Sequence, residues 1–144
     1  YGEGILDIDG AVLELTDLWL QGDGSEVKNS ELLPGAYSLK VEADARLEGN
    51  LLNMPPFIYF CGTGTVEMVA NVIRGSLGTS GSVTMVMEEN VFDGDYNTTL
   101  SLGSSAPAVL SNNRFEGCPA GEWIRCRHDP GQCLPLLDEQ SLQR

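Results

Sequence analysis

Short runs of this chain alternate apolar and polar residues at period two. Val83, Met85 and Met87 alternate with Thr84, Val86 and Glu88. Leu13 and Leu15 alternate with Glu14 and Thr16 in the same way. Period two places every second side chain on one face, so each run predicts a strand with one buried face. A later run, Tyr37, Leu39 and Val41, keeps the alternation but slips by one residue against the first. A bulge or a one-residue difference in repeat length would account for that shift.

The strands come with a repeated punctuation: an apolar residue, a polar residue and a glycine. It reads Leu20-Gln21-Gly22, Leu47-Glu48-Gly49, Ile73-Arg74-Gly75, Phe92-Asp93-Gly94 and Phe115-Glu116-Gly117. The glycines lie 27, 26, 19 and 23 residues apart. The last three units also share an asparagine two residues before the apolar position: Asn71, Asn90 and Asn113. Three residues before each asparagine stands a large apolar side chain, Met68, Met87 or Leu110.

Short strands broken by Asn and Gly at such a period predict a solenoid. In a parallel β-helix each coil lays its strands on those of the coil before. Equivalent residues then pile into columns. Ile73, Phe92 and Phe115 are the expected internal apolar column. Asn71, Asn90 and Asn113 are the expected ladder, each amide bonding the next. Asn tolerates left-handed backbone angles at a bend, and Gly75, Gly94 and Gly117 would serve where no Cβ fits. A β-sandwich also uses short alternating strands, but it gives no reason for one repeated N-x-[IF]-x-G. Leucine-rich repeats are disfavoured, since no L-x-x-L-x-L pattern recurs. The expected fold is all-β: a right-handed parallel β-helix of about five coils over residues 1–117, closed by a C-terminal cap over 118–144.

Composition agrees with many strands and turns. The chain has 144 residues with 17 glycines, and only 20% of residues are charged. Eight Lys and Arg face 21 Asp and Glu, for a net charge of -13. Such a surface repels nucleic acid and anionic membranes. No segment approaches the ~20 apolar residues of a membrane span. The chain opens on Tyr1, with no signal-like segment, which suggests a processed product. Cys118, Cys126 and Cys133 cluster in the turn-rich tail around Trp123. They suggest an oxidising compartment and a disulfide that pins the cap. Cys61 lies more than two coils away, and at ~4.8 Å per coil it is expected to be buried and unpaired. The segment containing Leu136, Leu137 and Leu142 is expected to form a short helix.

The stretch Gly2 to Ile5 (GEGI) and then Ala11 to Gly22 (AVLELTDLWLQG) resembles coils of the pectin-lyase-like superfamily. It is especially similar to repeats of polymorphic outer-membrane proteins and autotransporter passengers. Those carry a G-G-[AI]-[IV] element, an alternating strand and then F-x-x-N. Here Glu3 replaces the second glycine, Asp95 follows Phe92 at the asparagine offset, and Cys118 follows Phe115. The resemblance covers roughly residues 1–117. It implies a right-handed parallel β-helix in a secreted or cell-surface setting and no particular activity.

Candidate chemistry is sparse. The only histidine, His128, stands in the expected cap beside Asp129 and reads as a loop residue. Zinc binding by Cys118, Cys126, His128 and Cys133 is disfavoured, because their intervals lack C-x₂₋₄-C spacing. Acid pairs occur at Asp7/Asp9, Glu88/Glu89 and Asp93/Asp95. Paired carboxylates on one face could cleave a glycoside or attract Ca²⁺, and pectate-lyase relatives use a Ca²⁺-binding acidic cluster. No cofactor is otherwise expected. Arg74, Asp93 and Glu116 occupy equivalent positions and are expected to stack along an outer face, most simply as an ion-pair column. The expected role is non-enzymatic: a structural or adhesion module outside the cytosol, whose partner is a second copy or a neighbouring β-helix stacked end to end. The alternative is a carbohydrate-active or carbohydrate-binding β-helix protein.

Overall fold

The structure is a computed structural model that describes residues 5–14, 17–33, 38–41, 44–60, 62–93, 100–103, 108–116, 124–126 and 141–142. Among them there is no helix, and every strand pairing is parallel. The all-β parallel solenoid expected from the alternation is the fold observed.

One sheet runs β1 (Asp7–Asp9), β4 (Ser25–Lys28), β7 (Ala45–Glu48), β9 (Thr63–Val69), β11 (Ser82–Glu88) and β14 (Ala108–Ser111). The second sheet starts at β2 (Val12–Leu13) and passes through β5 (Glu31–Leu32), β8 (Leu51–Phe60), β10 (Val72–Thr79) and β12 (Val91–Asp93). It ends with β15 (Arg114–Glu116) and β17 (Ser141–Leu142), while β13 (Leu100–Leu102) joins β10 to β16 (Ile124–Cys126). A third, two-stranded sheet pairs β3 (Asp17–Leu20) with β6 (Ser38–Val41).

Alternation makes the core. In β11, Val83, Met85 and Met87 are buried, Thr84 and Val86 half-buried, and Glu88 exposed. Stacking turns this local pattern into columns. In the first sheet Ile8, Val27, Leu47, Met68, Met87 and Leu110 lie in register. In the second, the register runs Leu13, Leu32, Leu52, Ile73, Phe92 and Phe115. Ile73 and Phe92 are sealed from solvent. Phe115 pairs with Phe92 through the backbone, and its side chain lies outside what is described. Each fully buried side chain of this size contributes roughly 1.5–3 kcal/mol.

The register corrects the first two repeat units. Leu47 pairs with Met68, so Leu47-Glu48-Gly49 matches Met68-Val69-Ala70 and not Ile73-Arg74-Gly75. Leu52 is the true counterpart of Ile73. Leu20 belongs to the third sheet, opposite Val41. The glycine spacing therefore mixed different positions of the coil; along the turn that holds the asparagines the coil-to-coil step is 19 to 23 residues, and it lengthens to 24 and 27 at β16 and β17. The apparent one-residue slip near Leu39 has the same origin: β6 is a separate strand paired with β3, not a shifted copy of the Leu13 run.

Gly75 does sit where a side chain would be costly. It is buried with φ +124, at the register shift between Arg74 and Ser76 where β10 passes β8. Gly94, Gly117, Cys61, Cys118 and Cys133 lie outside the described residues, as do His128 and Asp95. Cys126 is described only as a backbone position in β16, opposite Leu102. Beyond residue 117, β16 and β17 continue the parallel pairing. Ser141 and Leu142 are thus extended, where the sequence suggested a helix; their place beside Arg114 and Phe115 favours the strand.

Candidate functional site

The most ordered polar constellation is the turn that joins the first sheet to the second. It is built the same way in every described coil. One residue adopts a left-handed conformation: Gly10 (φ 71), Asn29 (49), Gly49 (65), Ala70 (54), Glu89 (58) and Asn112 (53). The next residue turns its side chain inward. These residues are Ala11, Ser30, Asn50, Asn71, Asn90 and Asn113, and the last five are buried.

The three asparagines singled out by the repeat are brought together in one ladder. The Asn71 backbone N–H and Nδ2 both donate to Asn90 Oδ1, at 3.0 and 2.9 Å. Asn90 donates in the same way to Asn113 Oδ1. The remaining Nδ2 hydrogen goes to a strand carbonyl of the preceding coil, Leu47 for Asn71, Met68 for Asn90 and Met87 for Asn113. Buried amides are thereby satisfied at both ends, which is the condition for burying them at all. The ladder extends further than the sequence motif indicated. Asn50 donates to Asn71 Oδ1 and to the Val27 carbonyl. Ser30 donates its backbone N–H to Asn50 Oδ1, and its hydroxyl accepts from Ala11. The signal for Asn50 was the Gly49-Asn50 pair, a left-handed residue followed by a ladder residue.

The outer face of the first sheet carries the charges. Arg46 donates to Glu48 at 2.9 Å and to Glu67 on the next coil at 2.6 Å. Those hydrogen bonds, Glu48 first, hold its guanidinium pKa above the ordinary value. Lys28 lies 2.6 Å from Glu26. The hydrogen bond to Glu26 is the main cause of its raised pKa, with Asp7 and Asp9 adding smaller Coulombic support. On the second sheet Arg74 reaches Asp93 at 3.2 Å, and Asp93 lies in register with Glu116, so the expected outer column is present. Glu116 is paired with Arg114. All these pairs are partly solvated, so they add little to stability.

The acid pairs take separate places. Asp7 and Asp9 are both exposed on the outer face of β1, with Asn29 donating to Asp9 at 2.9 Å. Glu88 ends β11, and Glu89 occupies the left-handed turn. A groove of about 320 Å³ runs across β4, β7 and β9 and is lined by Glu26, Asp44, Arg46, Thr65 and Glu67 among others. Two aspartates tie neighbouring coils together: Asp23 accepts from the Asp44 N–H and Asp44 from the Thr65 N–H. No group of three or more His, Cys, Asp or Glu is placed to hold a metal ion among the described residues. No helix among them is long and apolar enough to cross a membrane. No family model matches this chain, and neither the curated proteins nor the solved structures give a match.

Proposed function

We propose that this chain is a non-enzymatic structural or adhesion module of a secreted or cell-surface protein, of the pectin-lyase-like type its first coils resemble. The supporting observation is the continuous axial hydrogen bonding: backbone ladders in two sheets and a buried asparagine ladder between them. Such a body resists bending along its axis. Six stacked strands give a rod about 24 Å long at ~4.8 Å per step. Its outer face is acidic and ion-paired, suited to display between other parts of a larger protein. The cysteine cluster of the tail, Cys118, Cys126 and Cys133, supports an oxidising setting and a pinned cap. End-to-end contact with a second copy or a neighbouring β-helix domain belongs to the same reading.

The groove beside Arg46 favours one rival, a carbohydrate-active or carbohydrate-binding protein. Neutral glycans are the better candidates, because a chain of net charge -13 repels polyuronates. Both readings are tested by incubating the protein with neutral and acidic polysaccharides. Unchanged reducing ends, no unsaturated products and no retention on immobilised glycan support the structural module; cleavage or retention that Glu67→Gln abolishes overturns it.

A further inference from the structure

In the second sheet the register builds an outer row beside the inner column. Glu31, Leu51, Val72, Val91 and Arg114 stand one per coil, each a single residue ahead of a column residue. Neighbouring residues of a strand point to opposite faces, so this row points out of the coil. Its centre is aliphatic. Leu51, Val72 and Val91 remain half-buried, whereas Leu52, Ile73 and Phe92 beside them are sealed. The first sheet is built differently. There Glu26, Arg46 and Glu67 lie in register on the outer face, and Arg46 is bonded to Glu67 across coils. Three stacked aliphatic side chains rimmed by charge are the kind of surface a protein partner covers.

The two ends of the row carry opposite charges that the row itself does not satisfy. Glu31 takes part in no ion pair among the described residues. Arg114 is exposed and bonds Glu116 through Nε at 2.5 Å, which leaves its terminal nitrogens for a second carboxylate. Glu31 and Arg114 stand roughly 19 Å apart at ~4.8 Å per coil, so they cannot meet within one chain.

Turned end for end, the row matches itself. A two-fold axis along the strand direction at Val72 places two copies face to face. Val72 then meets Val72, Leu51 meets the other copy's Val91, and Glu31 meets the other copy's Arg114. Each residue contacts its complement twice, as an isologous interface requires. Packed sheets cross at about 30°, an offset that the long side chains of Glu31 and Arg114 span. Arg74, two residues after Val72, also lies at the axis. Asp93 bonds it at 3.2 Å, and the other copy's Asp93 approaches from the opposite side, so charges alternate around the axis.

We propose that two copies of this chain pair side by side through the outer face of the second sheet, with Glu31 of each copy bonded to Arg114 of the other. The pairing needs the fold alone and goes beyond the end-to-end contact of the structural-module reading. The face spans roughly 19 Å by 10 Å. That is the small end of specific interfaces, so the dimer is weak, with a dissociation constant on the order of 0.1 mM.

Charge reversal tests the pairing. Sedimentation equilibrium of the full chain from about 10 μM to about 1 mM reads the association constant. The wild type should dimerise across this range. Glu31→Arg sets two cations face to face and Arg114→Glu two acids, so each should weaken association about tenfold or more. The double variant Glu31→Arg/Arg114→Glu restores opposite charges and should return to within about threefold of wild type. Overall charge cannot mimic this pattern: Glu31→Arg raises the net charge of -13 by two and Arg114→Glu lowers it by two, so general repulsion would move them in opposite directions. Val72→Lys puts like charges on the axis and should leave a monomer. Val109→Lys makes the same change on the outer face of the first sheet and should leave the dimer intact. All these positions point outward, and an unchanged melting curve shows that each variant is folded. A wild type still monomeric at the highest concentration would overturn the proposal. So would single reversals that act in opposite directions, a double variant as weak as the singles, or an equal loss with Val109→Lys.

Discussion

Replacing Asn90 by alanine removes the middle of the ladder and leaves the fold around it intact. Four bonds disappear. Asn90 Oδ1 accepts from the Asn71 N–H and from Asn71 Nδ2. Its Nδ2 serves the Met68 carbonyl and Asn113 Oδ1. Asn71 Nδ2 keeps the Leu47 carbonyl, and Asn113 Oδ1 keeps the Asn90 N–H. One backbone group is stranded in the interior, the Asn71 N–H. At roughly 1–3 kcal/mol for that group, with the side-chain bonds lost beside it, the loss is about 2–3 kcal/mol. With a urea slope of about 2 kcal/mol/M, the unfolding midpoint should fall by about 1 M or more. The control is Asn53→Ala, an outward position of β8 opposite Arg74 that belongs to no ladder; it should shift stability by less than about 0.5 kcal/mol. Asn90→Asp sharpens the test. A protonated aspartic acid retains one donor for the Met68 carbonyl, whereas the ionised form faces two acceptors. Its folded pKa is raised, so stability close to wild type below pH ~3.9 should be lost as pH rises through the folded value. An Asn90→Ala protein with the wild-type midpoint would refute the view that this ladder holds the coils together.

Other expectations follow from the same geometry. Phe92→Ala, in the sealed second-sheet column, should cost about 3–5 kcal/mol by chemical denaturation, while Val109→Ala on the outer face should cost under about 0.5. Gly10 and Gly81 share φ +71, but a Cβ at Gly10 meets nothing within 4 Å, whereas at Gly81 it meets the Gly62 carbonyl oxygen at 2.7 Å. Gly81→Ala should therefore lower thermal stability clearly more than Gly10→Ala, whose cost is backbone strain of about 1–2 kcal/mol. Ala70→Gly should stabilise the protein by up to about 1 kcal/mol in a melting curve, because Ala70 holds φ 54 and relief of strain exceeds the added freedom of the unfolded chain.

Much of this architecture was legible because a solenoid writes its contacts at one offset. Asn71, Asn90 and Asn113 each stood two residues before an apolar residue and three after another, and the structure brings all three sets into register. The earlier coils were harder to read. Ser30 does the work of an asparagine with a hydroxyl, and Ala11 with no polar group at all, so the motif fades toward the N-terminus. Gly49 misled for a physical reason: glycine answers any need for an unusual backbone, and several positions of a coil have one. Gly49 provides the left-handed turn that Ala70 and Glu89 make without glycine, whereas Gly75 marks a bulge in a different sheet. The groove beside Arg46 was invisible in sequence, since it joins Glu26, Asp44 and Glu67 from three coils about 20 residues apart.

Through-hydrogen-bond scalar couplings between amide nitrogens and carbonyl carbons probe the parallel stack most directly. Val72 should couple to the carbonyl of Asn50, Val91 to that of Asn71 and Arg114 to that of Asn90, across distances of 2.9, 2.8 and 2.8 Å. Those three couplings together require each coil to lie on the last in the same direction and at the same register. Reciprocal couplings between directly opposed residues, the mark of antiparallel strands, would contradict the solenoid and everything built on it.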